Sequence, residues 1–253
     1  MAKLFVDIND LRTKERAASS EDESVTYKKS ADSLNTIRHL LSIKQSFSYI
    51  EIMEKTDISP VWLDKMQTIT SKLNNPNVDA KYIDKIEALY SRMSEEDKNT
   101  PWGYRITANL FPPHVVGVGD DMADTDFYDI NGNTKHLSDY SGKYLLLDFW
   151  SRGCGPCIMA LPEMKEISEI YPDKLTIVSI SLDTDAVWKE AMTTHDMPWV
   201  NIRDPKGWGG LASNYGVNGI PNYILISTEG KIIDKWMGFS NGLIKRKVSE
   251  NLK

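Results

Sequence analysis

The sequence predicts an α/β domain preceded by a mostly helical region, and three patterns carry that expectation. Short, nearly continuous apolar runs at 143–150, 174–183 and 222–227 read as buried strands. Helical stretches near 155–171, 184–195 and 207–215 alternate with them. Upstream, from 31 to 110, apolar side chains recur every three or four residues, the spacing of amphipathic helices.

Taken in order, residues 1–30 open with the alternating Leu4, Val6 and Ile8, which predict one short strand. The charged, Ser-rich "RTKERAASSEDESVTYKKS" that follows reads as a linker. Within 31–110, an early helix carries Leu34, Ile37 and Leu41. A second starts at Ser59-Pro60, an N-cap with proline in the first turn, and aligns Trp62, Met66, Ile69 and Leu73. "NNPN" at 74–77 ends it. After Asp79, the residues Tyr82, Ile86, Leu89 and Met93 mark a third helix, and a fourth begins near Thr100-Pro101. Two readings of these helices stand side by side: a cap that buries its apolar stripes, or a docking or dimerisation module.

"FPPHVVGVGDDMADTDF" at 111–127, with two prolines, glycines and acids, marks an exposed crossing and the expected domain boundary. Beyond it, Asn131-Gly132 centres a hairpin turn in "DFYDINGNTKHLSDY". Thr228-Glu229-Gly230 joins the strand at 222–227 to another at 230–238 as an antiparallel pair. The expected organisation is therefore a short strand and linker (1–30), a helical region (31–110) and an α/β domain (111–253).

With 253 residues, 41% of them hydrophobic, the chain builds a core without external staples. A net charge of −6 with no concentrated basic face excludes a nucleic-acid binder. No apolar run reaches the length of a membrane-spanning helix, and "MAKLFVDINDLRTKER" lacks the layout of a secretory signal. The protein is then expected to be cytosolic, or its sequence to begin after a removed signal or anchor.

The stretch "LLLDFWSRGCGPCIMALPEM", residues 145–164, holds both cysteines of the chain, Cys154 and Cys157. Structural zinc needs four ligands, and the histidines His39, His114, His136 and His195 are scattered singly, so a metal site fails on ligand count. A static disulfide would close a very short loop, which contributes least to stability. The placement favours a redox pair. Cys154 follows a buried strand and opens an amphipathic helix, where unpaired N–H groups and the helix dipole stabilise a thiolate, and Cys157 returns one turn later.

"LLLDFWSRGCGPC" resembles the thioredoxin signature, and residues 111–253 are similar to the TlpA/ResA branch of thioredoxin-like proteins, within the AhpC/TSA-redoxin superfamily. A second anchor is "GVNGIPNYILIS", where Gly219-Ile220-Pro221 matches the cis-proline loop of the family. The resemblance implies a thioredoxin-like fold with an N-terminal β-hairpin, and a thiol-disulfide oxidoreductase. In it Cys154 attacks, Cys157 resolves, Asp148 is the buried acid that takes the proton of Cys157, and Trp150 walls the site. Gly155 and Pro156 shape the first helical turn; Pro221 leaves the Ile220 backbone available to a substrate strand. No cofactor beyond the Cys154–Cys157 disulfide and no metal are implied. The implied partners are protein disulfides and an upstream electron-donating thiol protein. The implied location is the cell envelope or periplasm, with the cytoplasm as alternative. Gly-Pro between the cysteines matches thioredoxin itself, at about −270 mV, and implies a reductant.

Two departures limit the carry-over. Gly153, preceded by Arg152, stands where thioredoxins place tryptophan, and Ala160 stands where ResA-like proteins commonly have a glutamate, with Glu163 nearby but out of register. Two other functions remain open. A peroxiredoxin-like peroxidase is suggested by Ser151 three residues before Cys154, although Leu147 occupies the position expected to be proline. A redox-gated binding protein is suggested by the helical region.

Overall fold

The computed structural model describes residues 2–73, 75–76 and 78–252. The chain divides between Glu95 and Glu96 into two compact units.

The first unit is helical: α1 (Ala2–Ala17), α2 (Glu21–Phe47), α3 (Ile50–Met53), α4 (Pro60–Thr70), α5 (Lys81–Ser91), and the start of α6 (Glu95–Lys98). The expected strand at Leu4–Ile8 is part of α1. Leu4, Ile8 and Leu11 turn inward at helical spacing while Val6 is exposed, so the alternation was coincidental. The expected linker is likewise helix, apart from residues 18–20, which separate α1 from α2. Ser20 caps α2 through its hydroxyl, which accepts the Glu23 N–H at 3.3 Å, and the Glu23 carboxylate reaches back to the Ser19 N–H at 3.1 Å. That pair is close to a capping box, with three acids in the first turn favoured by the helix dipole. Arg12 of α1 holds Asp32 of α2 at 2.5 Å.

As the sequence pattern predicts, Ser59 caps α4 by accepting the Trp62 N–H at 3.3 Å, and Pro60 fills the first turn. Asn74 and Asn77 of the predicted "NNPN" stop lie outside the described residues. The buried Met66, Ile69, Ile86 and Leu89 form the apolar faces of α4 and α5. Arg92 closes the C-terminal end of α3, donating to the carbonyls of Met53 and Thr56 at 2.6 Å each.

The second unit begins before the boundary expected at residue 111. Helix α7 (Pro101–Leu110) belongs to it, and so does the 111–127 crossing. The physical reason is a close backbone approach. A Cβ on Gly209 would lie 2.3 Å from the Tyr104 backbone, a separation only glycine permits. Arg105 donates to the Trp208 carbonyl at 3.0 Å and lies over its ring. The crossing is fastened by Val116 N–H to the Asn214 carbonyl, Gly119 N–H to that of Ile232 and Met122 N–H to that of Gly230.

The unit then runs β1 (Phe127–Tyr128), β2 (Thr134–Lys135), β3 (Tyr144–Trp150), α8 (Gly155–Ile170), β4 (Leu175–Ser181), α9 (Asp185–Thr194), β5 (Val200–Arg203), α10 (Leu211–Asn214), β6 (Asn222–Ile226), β7 (Ile232–Met237) and α11 (Leu243–Asn251). Its sheet has the order β2-β1-β5-β4-β3-β6-β7, with β3, β4 and β5 parallel and the rest antiparallel. Strand β5 is an element the residue pattern did not show. The continuous apolar character of β3 follows from its central place, with both faces covered. Leu145, Leu147 and Phe149 join one core with Val178, Ile180, Ile224 and Tyr215. Leu146 points the other way, toward Ala160, Met164 and Ile167 of α8 and Ile244 and Val248 of α11. This is the mixed α/β sheet with flanking helices that the sequence predicts.

Candidate active site

Strand β3 ends at Trp150, and the chain turns through Ser151–Gly153 into α8. The Cys154 N–H closes that turn on the Ser151 carbonyl at 3.1 Å. Cys154 is the N-cap of α8, and its Sγ accepts the Cys157 N–H at 3.2 Å. An amide aimed at the sulfur, at the positive end of a 16-residue helix, favours the thiolate over the thiol. Cys154 and Cys157 are joined in a disulfide, with Cα atoms 5.2 Å apart. Cys154 is half-buried and Cys157 buried, while Gly155 and Pro156 are exposed beside them. The pair is therefore asymmetric: an outer sulfur that another molecule can reach and an inner one that it cannot.

Around the inner sulfur lie Trp150, Trp188, Ala191 and Met197, with Ile158, Leu161, Trp199 and Ile220 at the edge. Trp150 thus packs against the pair. Trp188 and Ala191 come from α9 and Met197 and Trp199 from the approach to β5, so the segment between β4 and β6 supplies the back wall. The sequence reading did not single out these residues; the only signal was a tryptophan at an apolar position of each segment.

The Ile220–Pro221 peptide is cis. The Pro221 carbonyl accepts the Gly238 N–H at 2.8 Å, which ties the loop to the end of β7. Among the described residues, the Ile220 N–H and carbonyl enter no backbone hydrogen bond. Ile220 packs against the cluster that contains both cysteines.

Asp148 is buried in the middle of β3. It lies on the same face as Leu146 and Trp150, whose neighbours include Ala160 and Cys157 of α8. Ser179 of β4 donates its hydroxyl to Asp148 Oδ2 at 2.8 Å, and Trp199 Nε1–H donates to Ser179 Oγ at 2.9 Å. Burial pushes the Asp148 carboxyl up to about 7, against the downward pull of the Ser179 hydrogen bond. A carboxyl that titrates there can take or give a proton at neutral pH.

The two departures from the family pattern have structural counterparts. Arg152 is tied away from the pair, its N–H to Asp183 Oδ2 at 2.7 Å and its guanidinium to Glu190 of α9 at 2.8 Å. Ala160 is buried in the core under α8. Glu163 caps α11, accepting the Gly242 and Lys245 N–H groups at 2.9 and 2.8 Å. Pro162, which the sequence reading passed over, sits inside α8 and removes the N–H that would bond the Ile158 carbonyl. Among the described residues no group of three or more His, Cys, Asp or Glu side chains gathers as a metal site, and no helix is long and apolar enough to cross a membrane.

Comparison with known proteins agrees with this geometry. The AhpC/TSA family matches residues 118–235. The thiol-disulfide oxidoreductase ResA of Geobacillus thermodenitrificans is 30% identical over 135 residues, 51% of this chain and 75% of that protein. ResA of Bacillus thuringiensis subsp. konkukian is 33% identical over 112 residues, 44% of this chain, and the match spans 64% of its length, under two thirds. Among solved structures, the thioredoxin domain of a thiol-disulfide oxidoreductase from Bacteroides vulgatus superposes with a TM-score of 0.50 at 27% identity, over 55% of this chain and 99% of that domain. A thiol:disulfide interchange protein from Bacteroides sp. gives 0.50 at 26% identity, over 54% and 91%. Helices α1–α7 lie outside the AhpC/TSA match.

Proposed function

Since this chain belongs to the ResA-like thiol-disulfide oxidoreductases of thioredoxin-like fold, we propose that it acts in the cell envelope as a reductant of protein disulfides, with Asp148 serving the resolving cysteine. The observation that carries the reading is the asymmetry of the pair: a half-buried Cys154 capping α8 above a buried Cys157, beside a loop in which the Ile220 backbone makes no backbone hydrogen bond among the described residues.

In the dithiol form, the Cys154 thiolate attacks one sulfur of a substrate disulfide. A mixed disulfide forms and the first substrate sulfur leaves as a thiolate. The Cys157 thiol then passes its proton to the Asp148 carboxylate and attacks Cys154 Sγ. The Cys154–Cys157 disulfide closes, and the second substrate sulfur departs and is protonated. The substrate gains two electrons and the enzyme loses two, so a dithiol donor must restore it. Extended substrate backbone pairs with Ile220 during the exchange. The envelope location is drawn from the likeness to ResA proteins.

The test is a trap. Cys157→Ser stops the reaction at the mixed disulfide, so captured proteins identify substrates, and their compartment identifies where the enzyme works. Capture of exported proteins supports the reading. Captured partners confined to the cytosol would refute the location, and no capture together with no insulin-disulfide reduction by the unaltered protein would refute the reductant role.

A further inference from the structure

Five side chains stand opposite one another across the sheet on its α8 face. Asn201, Ser179, Asp148, Tyr223 and Trp236 are register partners from β5 through β4, β3 and β6 to β7. Only part of this row is used by the exchange chemistry above.

With Asp148 ionised, the hydrogen bonds along it run in one direction by chemical necessity. An indole N–H can only donate, so at the Trp199–Ser179 contact the serine oxygen is the acceptor. A serine hydroxyl has one proton, and Ser179 spends it on Asp148 Oδ2. The chain is therefore Trp199 to Ser179 to Asp148, every donor pointing at the carboxylate. Asn201 fixes the origin of the chain: its Nδ2 donates to the carbonyls of Met197 and Trp199 at 2.9 and 2.8 Å, which holds the bend that brings the indole over β4. Ser179 is fully buried, so water cannot replace either bond freely.

We propose that Trp199 and Ser179 are positioning residues that form a one-way donor relay, setting the proton affinity of Asp148 and through it the pH at which Cys157 is deprotonated for resolution. The inference rests on the reading of Asp148 as the proton acceptor of Cys157. Donation to the ionised carboxylate opposes burial, which favours the protonated form. The other groups facing Asp148 do not substitute for the relay. Tyr223 on β6 has its phenol pushed up by burial, with the charges of Asp148 and Glu163 adding to the shift. Glu163 on α8 is occupied in capping α11. At the far end of the row, Lys247 lies over the Trp236 ring and is paired with Asp234. From α8, Cys157 is the group the relay would serve.

The experiment compares the full-length protein with Ser179→Ala, Ser179→Thr and Trp199→Phe in two readouts. The first is the titration of the Asp148 carboxyl in the oxidised protein, by carbon-13 NMR, with the resonance assigned by its loss in Asp148→Asn. The second is the pH profile of mixed-disulfide resolution. Ser179→Ala should raise the carboxyl titration by about one pH unit, the equivalent of about 1.4 kcal/mol. Trp199→Phe should raise it by less, and Ser179→Thr, which keeps a hydroxyl, should restore it. The resolution profile should move by the same amount and in the same direction. An unmoved titration in Ser179→Ala overturns the relay. A titration that moves while the profile stays fixed overturns the role of Asp148 as acceptor, and with it the link from relay to Cys157. If Trp199→Phe fails to fold, the Ala and Thr variants at 179 still decide.

Discussion

Replacing Asp148 by Asn should make the protein more stable, and more so at higher pH. The Asp148 carboxyl rises from its ordinary 3.8 to about 7 on folding, chiefly because burial penalises the charge. Below pH 4 both folded and unfolded chains hold the proton, and Asp148 costs nothing on this account. Between those two values the unfolded chain has lost the proton that the folded chain keeps, so stability falls as pH rises. Above the upper value the loss is complete. A shift of roughly three units at 1.36 kcal/mol each gives about 4 kcal/mol as an upper bound. Asparagine has no charge to bury and still accepts the Ser179 hydrogen bond. The gain from Asp148→Asn should therefore be small at pH 4.5 and reach a few kcal/mol at pH 8. Urea unfolding of the oxidised protein measures it, followed by near-UV circular dichroism; the second unit holds six of the seven tryptophans and dominates that signal. A gain of equal size at both pH values, or a loss at pH 8, would refute the assignment of the buried charge.

Three further outcomes are expected. The Cys154–Cys157 pair, equilibrated with defined thiol/disulfide buffers, should show a potential near that of thioredoxin, about −270 mV; a value above about −180 mV would make the protein a disulfide donor or isomerase. Gly209→Ala should lose about 1–3 kcal/mol by overpacking, because the new methyl meets the Tyr104 backbone rather than a yielding side chain, and an unchanged melting temperature would contradict that seam. Glu163→Ala should loosen α11 and cost about 1–2 kcal/mol while disulfide exchange continues, and a large fall in exchange rate at unchanged stability would show that Glu163 has a chemical role.

Much of the second unit was legible because its strands are buried on both faces and say so in composition. "LLLDFW" and "LTIVSIS" have few other uses, and the glycine turns at Gly132 and Gly230, with φ of 82° and 81°, mark the hairpins. Strand β5 was not, because four residues, two of them polar, are too short for a period to show. In the first unit, Leu4, Val6 and Ile8 satisfied a two-residue period while Leu4, Ile8 and Leu11 satisfied a helical one. The capping pattern at Ser20–Glu23 was the signal that could have decided the nature of the segment after it. At the site, the two cysteines and Pro221 were readable from local pattern. The partner of Asp148 was not: Ser179 is 31 residues away, and parallel register is set by tertiary packing. Ser179 was visible only as one of three hydroxyl residues, with Thr176 and Ser181, in a strand whose other residues are apolar. Placement of α7 was hidden for a similar reason, since an amphipathic helix does not say which surface it covers.

That helix bears on where the polypeptide can be divided. A cut at residue 111, where the prolines invite one, would strip the Gly209 seam of its cover, uncover the Trp208 ring and leave its carbonyl without the Arg105 guanidinium. A cut at Glu96 keeps the strap with the redox unit. Helix α7, near the start of that piece, then covers the turn before α10 through Tyr104 and Arg105, so proteolysis of the intact chain should spare the 99–110 stretch while the second unit remains folded.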